Sequence, residues 1–108
     1  MKILLDQGVP APLRHALNEH EIITAFENGW HALQNGDLLR ATQAGGFDAF
    51  ITTDQNLRYQ QNLANRTLAI VVLMTTDWRL IRLHLDYVRQ AIAVLVVGAY
   101  IELPFPPG

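Results

Sequence analysis

Short apolar runs alternate along this chain with stretches in which apolar residues recur every three or four positions. Ile3 to Leu5 reads as a buried first strand, and Gly8-Val9-Pro10 turns the chain after it. Pro10 or Pro12 suits the first turn of a helix, where no backbone N–H is needed. Val9, Leu13, Ala16 and Leu17 give that helix one apolar stripe, and Asn18-Glu19-His20 closes it. Glu21 to Phe26 is β-rich and reads as strand two. Asn28 to Asn35 is a loop containing Gly29, Trp30 and His31. Asn35 or Gly36 caps the next helix, Asp37 sits in its first turn, and Gly45-Gly46 stops it. Ala49 to Thr53 is strand three, and Gln55 to Leu63 a short surface helix. Thr67 to Met74 holds a continuous apolar run suited to a central parallel strand covered on both faces. Thr75-Thr76-Asp77-Trp78 opens the longest helix, whose Ile81, Leu85, Val88, Ile92 and Leu95 follow the helical period until Gly98. Ala99 to Leu103 is a fifth strand, and Pro104 to Gly108 cannot continue a ladder.

Strands alternating with helices predict a three-layer α/β/α fold on a mainly parallel five-stranded sheet, with right-handed crossovers. The 108 residues fit one domain, 1–108, with a Pro-rich tail at 104–108; half are hydrophobic, enough for a real core. Cysteine is absent, which excludes disulfides and thiolate metal sites. His15, His20, His31 and His84 share no ligand spacing, so zinc is not expected. The apolar opening stops at Asp6, and Ala91 to Val97 is too short to span a bilayer; the expectation is a soluble, cytoplasmic protein away from membranes.

Net charge is −2, so bulk electrostatics do not advertise nucleic-acid binding. Lys2 is the single lysine and the other seven cations are arginines, which favour fork-like contact with phosphate or carboxylate. Against that background the acids stand out. Asp6 directly follows one apolar run and Asp54 another, and in a parallel sheet those strand ends share one edge. Two carboxylates about 4 Å apart repel by roughly 4 kcal/mol at an effective dielectric of 20. A hard divalent cation is the usual compensation. Asp37 is expected on the opposite edge, reaching the crevice only if residues 27–35 cross back over the top. Singly, each acid has a plainer reading: Asp6 starts a turn, Asp37 answers a helix dipole, and Asp54 caps a helix.

The segment Leu4-Leu5-Asp6-Gln7-Gly8-Val9-Pro10 resembles the opening of PIN-like domains, the superfamily of VapC-type toxins and ribonucleases. It is most similar to a compact bacterial PIN-like family of unknown function that opens Leu-Leu-Asp-Glu-Asn-Leu-Pro. Asn35-Gly36-Asp37-Leu38-Leu39 resembles that family's second acidic motif, and Ile51-Thr52-Thr53-Asp54-Gln55-Asn56-Leu57 its third. The resemblance spans nearly the whole chain. Gln7 and Gly8 depart from it, removing a carboxylate beside Asp6.

The resemblance implies Mg²⁺- or Mn²⁺-dependent hydrolysis of RNA, and an antitoxin partner if the chain is the toxin of a toxin–antitoxin pair. Asp6 and Asp54 would hold the ion, and Asp37 would bind a second ion or orient a water. Asp77 would be either a fourth acid or a helix cap. Arg40, Arg58 and Arg79 lie within four residues of Asp37, Asp54 and Asp77. They would clamp RNA phosphates or form surface ion pairs. Trp30 and His31 would stack an unpaired base, or Trp30 would anchor its loop. Tyr59, Gln60, Gln61 and Asn62 would face RNA or solvent. The apolar stretch Ala91 to Tyr100, with Phe105, predicts a homodimer. Two other classes compete. One is a PIN-like binding or regulatory protein weakened by Gln7. The other is a receiver-like phospho-acceptor domain, opposed by the absence of any lysine beyond Lys2.

Overall fold

The computed structural model describes residues 1–60 and 66–107, with residues 59 and 60 described through their backbone alone. The end of the expected Gln55–Leu63 helix and the Tyr59–Asn62 surface lie outside the described side chains. The elements run β1 (Lys2–Leu5), α1 (Leu13–Ala16), β2 (Glu21–Thr24), α2 (Asn35–Ala44), β3 (Ala49–Thr52), α3 (Leu57–Gln60), β4 (Ala69–Leu73), α4 (Trp78–Ile81), a 3-10 turn (Arg82–His84), α5 (Leu85–Ala93) and β5 (Tyr100–Leu103). The strands form one sheet in the order β2-β1-β3-β4-β5, every pair parallel. Leu5, at the end of β1, stands level with Thr24 on one side and Ile51 on the other.

Strand pleating sorts the core into two clusters. Ile3, Leu5, Ile51, Val71 and Leu73 pack with Leu13 and Leu17 around α1, Ile81 of α4, and Val88 and Ile92 of α5. Leu4, Phe50, Ile70 and Val72 pack with Leu38 and Leu39 of α2 and with Leu57. Each of these large side chains contributes about 1.5–3 kcal/mol when fully buried.

Most expected ends shift by one or two residues; two departures have a clear physical cause. Strand β2 stops at Thr24 rather than Phe26, because Thr24 and Glu27 form a reciprocal cap. The Thr24 N–H donates to Glu27 Oε1 at 2.9 Å, and the Glu27 N–H to Thr24 Oγ1 at 3.1 Å. The expected long helix from Thr75 breaks into α4, a 3-10 turn and α5, and ends at Ala93 instead of Gly98. Leu80, Ile81, Leu83 and Leu85 place four apolar residues in six positions, too many for a single stripe. The break buries Ile81, Val88 and Ile92 and leaves Leu83 exposed. Gly98 instead sits at φ 76° in the turn before β5. Val94, Val96 and Val97 are exposed. Among the described residues no helix is long and apolar enough to cross a membrane.

Candidate functional site at the carboxyl edge of the sheet

Strands β2 and β3 flank β1 on opposite sides, so the order of strands reverses there. In open parallel sheets such a switch point opens a crevice beyond the carboxyl ends of the strands. Asp6 follows β1 at that point, and its backbone N–H extends the ladder to the Ile51 carbonyl at 2.9 Å. Its carboxylate is fixed from two sides. Oδ1 accepts the Gln7 N–H at 2.8 Å, and Oδ2 accepts the Thr52 hydroxyl at 2.8 Å.

Thr52 ends β3 and is 0% exposed. Its Oγ1 also accepts the Asp54 N–H at 3.1 Å. A hydroxyl has one proton to give. Because the partner at Asp54 is itself a donor, that proton is committed to Asp6. Asp54 closes the chain of bonds: Oδ1 accepts the Asn56 N–H at 3.0 Å, and Oδ2 accepts Asn35 Nδ2 at 2.7 Å. Asp6, Thr52, Asp54 and Asn35 thus form one continuous network. It ties the ends of β1 and β3 to the first turn of α2.

Asn35 brings a correction. The expected placement of the start of α2 on the opposite edge is wrong: Asn35 of its first turn touches Asp54 at the carboxyl edge. A helix that follows a parallel strand runs antiparallel to it, and so begins at the edge where the strand ended. Asn35 is also not the cap, which falls on Gln34. Asp37 lies in the same turn, and its carboxylate pairs with Arg40 three residues on.

Asp77 caps α4, its Oδ1 accepting the Arg79 N–H at 2.9 Å. Arg79 Nε lies 3.4 Å from the same oxygen. Arg58 Nη1 lies 3.6 Å from Glu102 Oε1 on β5, rather than on Asp54. Asp6 and Asp54 are therefore brought together through Thr52, while Asp37 and Asp77 are engaged by neighbouring arginines. Among the described residues no three His, Asp or Glu side chains gather closely enough to hold one metal ion.

Gly8, where the sequence departs from the resembled motif, has a steric reason. A β carbon there would lie 2.5 Å from Thr53 Oγ1, so any larger residue forces Thr53 to another rotamer. Trp30 anchors its loop: it is half-buried, with its ring 6.0 Å from Phe47 in an edge-on arrangement. Glu27, in the turn after β2, is held below the usual carboxylate range. The backbone bond from Thr24 is the largest cause, followed by the Arg14 guanidinium, whose Nη2 lies 2.7 Å away.

Thr52 and Asn35 carry the network, and sequence reasoning assigned a site role to neither. A hydroxyl inside a buried strand two residues before a strand-end Asp is a readable signal for Thr52. Asn35 carries none, because its partner lies 19 positions away. Compared with family models, curated proteins and solved structures, the chain finds no significant match in any of the three.

Proposed function

We propose that this chain is a PIN-like, metal-dependent ribonuclease with its active site at the Asp6–Asp54 crevice. The observation that carries the reading is the Asp6–Thr52–Asp54–Asn35 network at the switch point of a parallel sheet. The two core clusters, one on each side of the pleat, support the three-layer arrangement that a PIN-like fold requires.

The donor set suits Mg²⁺ or Mn²⁺. It is all oxygen and offers two carboxylates, where Mg²⁺ takes one or two and completes its shell with water and phosphate oxygens. Each oxygen of Asp6 and Asp54 accepts one bond from the described residues, which leaves a second lone pair. A bound ion would acidify a water and neutralise charge on the phosphate under attack. Thr52 and Asn35 hold the two carboxylates in place, so less ordering is required when substrate arrives. Asp37 supports a second ion or a water. The ion pairs of Arg40, Arg58 and Arg79 are surface contacts worth about 0–1 kcal/mol, so phosphate can displace the acids from them. An antitoxin and a second copy of the chain are the proposed partners.

A weakened, non-cleaving PIN-like binding protein is the second reading. The absence of a three-acid group among the described residues favours it. A receiver-like role is opposed by the position of Lys2. That lysine stands at the start of β1, its Nζ donating to the Gly45 carbonyl at 3.2 Å, at the edge away from Asp54.

The test is manganese-dependent cleavage of single-stranded RNA. Asp6→Asn and Asp54→Asn should each abolish it while circular dichroism shows an intact fold. Cleavage undiminished in both variants refutes the active site. Absence of both cleavage and manganese-dependent stabilisation in the wild type selects the binding protein.

A further inference from the structure

A second feature of the carboxyl edge lies on the other side of Asp6. A cleft of about 290 Å³ opens between the ends of β1 and β2, its floor and sides largely apolar (Leu5, Val9, Ala11, Phe26) with Asp6, Gln7 and Thr24 as its polar walls. That volume sits at the low end of small-ligand sites, enough for a single ring system and part of what carries it. Phe26 is 69% exposed at its mouth. Single exposed apolar residues are ordinary and need no explanation. This one is held out by a built turn.

Thr24 and Glu27 cap each other, and Arg14 braces Glu27. The Gly29 N–H donates to the Phe26 carbonyl at 3.0 Å, and the Trp30 N–H to the Ala25 carbonyl at 2.9 Å. Ala25 and Trp30 pack inward with the α2-side core. The turn therefore anchors both neighbours of the ring and leaves the ring in solvent. The exposed His31 lies beside it, ring centroids 5.2 Å apart and tilted by 39°.

We propose that Phe26, backed by His31, is a stacking platform for one unpaired base of single-stranded RNA seated in the cleft beside Asp6. The proposal rests on the ribonuclease reading for its choice of ligand. The chemistry of the walls supports that choice. Splayed bases stack on aromatic faces and offer donors and acceptors along their edges. The cleft answers with the Gln7 amide, which has no hydrogen-bond partner among the described residues, and with the Asp6 carboxylate and the Thr24 hydroxyl. An apolar peptide side chain would strip water from those groups and return nothing. A base on Phe26 would also bring its phosphate towards Asp6, the acid shared by cleft and crevice. Gln7 then becomes a base-edge reader where the resembled motif carries a second acid.

The experiment measures binding of short fluorescent single-stranded RNAs by anisotropy, in EDTA and in Ca²⁺, with the full chain. Phe26→Ala should weaken binding about tenfold or more, as loss of a base-stacking aromatic does. Phe26→Trp should retain it, and the same sequence in a duplex should bind more weakly than the single strand. Thermal melts of Phe26→Ala should match wild type, since the ring buries little. Wild-type affinity in Phe26→Ala, or no wild-type binding in either buffer, overturns the proposal.

Manganese-dependent cleavage of the same oligomers separates the two readings. Phe26-dependent binding without cleavage leaves the platform standing and removes the ribonuclease. Cleavage with Phe26-independent binding does the reverse.

Discussion

The two edges of this sheet are built from the same strands and differ in what their polar groups do. At the amino edge, a hollow of about 490 Å³ is lined by Met1, Phe47, Asp48, Thr67 and the apolar run Leu95-Val96-Val97. Its acid, Asp48, is committed to backbone: Oδ2 accepts the Lys2 N–H at 2.8 Å, and its own N–H donates to the Lys2 carbonyl at 2.8 Å. At the carboxyl edge, Asp6 and Asp54 bind side chains as well, Thr52 and Asn35, and Asp6 also lines a smaller cleft beside Gln7 and Thr24. The larger hollow is thus not where the chemistry gathers. An acid that completes a strand pairing serves stability. An acid held by another side chain just past a strand end has its carboxylate fixed without spending it on strand pairing.

Three substitutions sharpen that contrast. The largest effect belongs to the amino edge. Phe47 is buried, meets Trp30 edge-on and carries Lys2 Nζ 4.5 Å over its ring. Phe47→Ala should cost about 3–5 kcal/mol in urea unfolding. At temperatures where the variant remains folded, RNA cleavage should be unchanged. A specific loss of cleavage would erase the division of labour between the edges.

Thr52→Val comes next. It keeps the shape, deletes the hydroxyl, and strands the Asp54 N–H and one oxygen of Asp6. A cost of about 1–3 kcal/mol is expected, together with weaker manganese-dependent stabilisation. Thr52→Ser should restore most of both. Metal response identical to wild type in Thr52→Val would show that the network positions nothing.

The smallest effect is a pH dependence at Glu27. Its carboxyl is lowered in the folded state from an ordinary value of 4.5, chiefly by the Thr24 backbone bond and then by Arg14. A depressed carboxylate stabilises the fold above its unfolded pKa, and that contribution is lost as pH falls through the folded value. The wild type should therefore exceed Glu27→Gln in stability at neutral pH, with the gap closing below about pH 4.5. A gap that persists well below the carboxylate range would mean that shape, not charge, holds the turn under Phe26.

Much of this was legible residue by residue. The run from Leu68 to Leu73 is buried throughout and contains β4, as its uninterrupted apolar character requires. Gly45-Gly46 ends α2 where expected, with Gly46 at φ 79°. The end of β2 is signalled by Thr24 and Glu27, which stand three apart in the spacing of a capping box. The β propensity of the residues before it masks that local signal. The break at Arg82–His84 was hidden because Ile81, Val88 and Ile92 do share a helical period; the discontinuity lies in the turn between them. Trp30 anchors its loop against Phe47, one of the two roles expected for it, while Phe26, expected within β2, lies in the turn beyond it and is exposed; composition cannot say which aromatic of a loop turns inward.

The order of apolar runs and turn residues by itself determined an α/β chain, its parallel sheet, and two acids at the ends of two strands. These are local consequences of side-chain period and backbone stereochemistry, written in neighbouring positions. Tertiary structure alone decided that β1 lies between β2 and β3, that Asn35 meets Asp54, and that the buried Thr52 hydroxyl faces Asp6. Each of those depends on which strands pair and where a helix begins in space. That choice is settled by burial summed over the whole core and not by any segment of the chain.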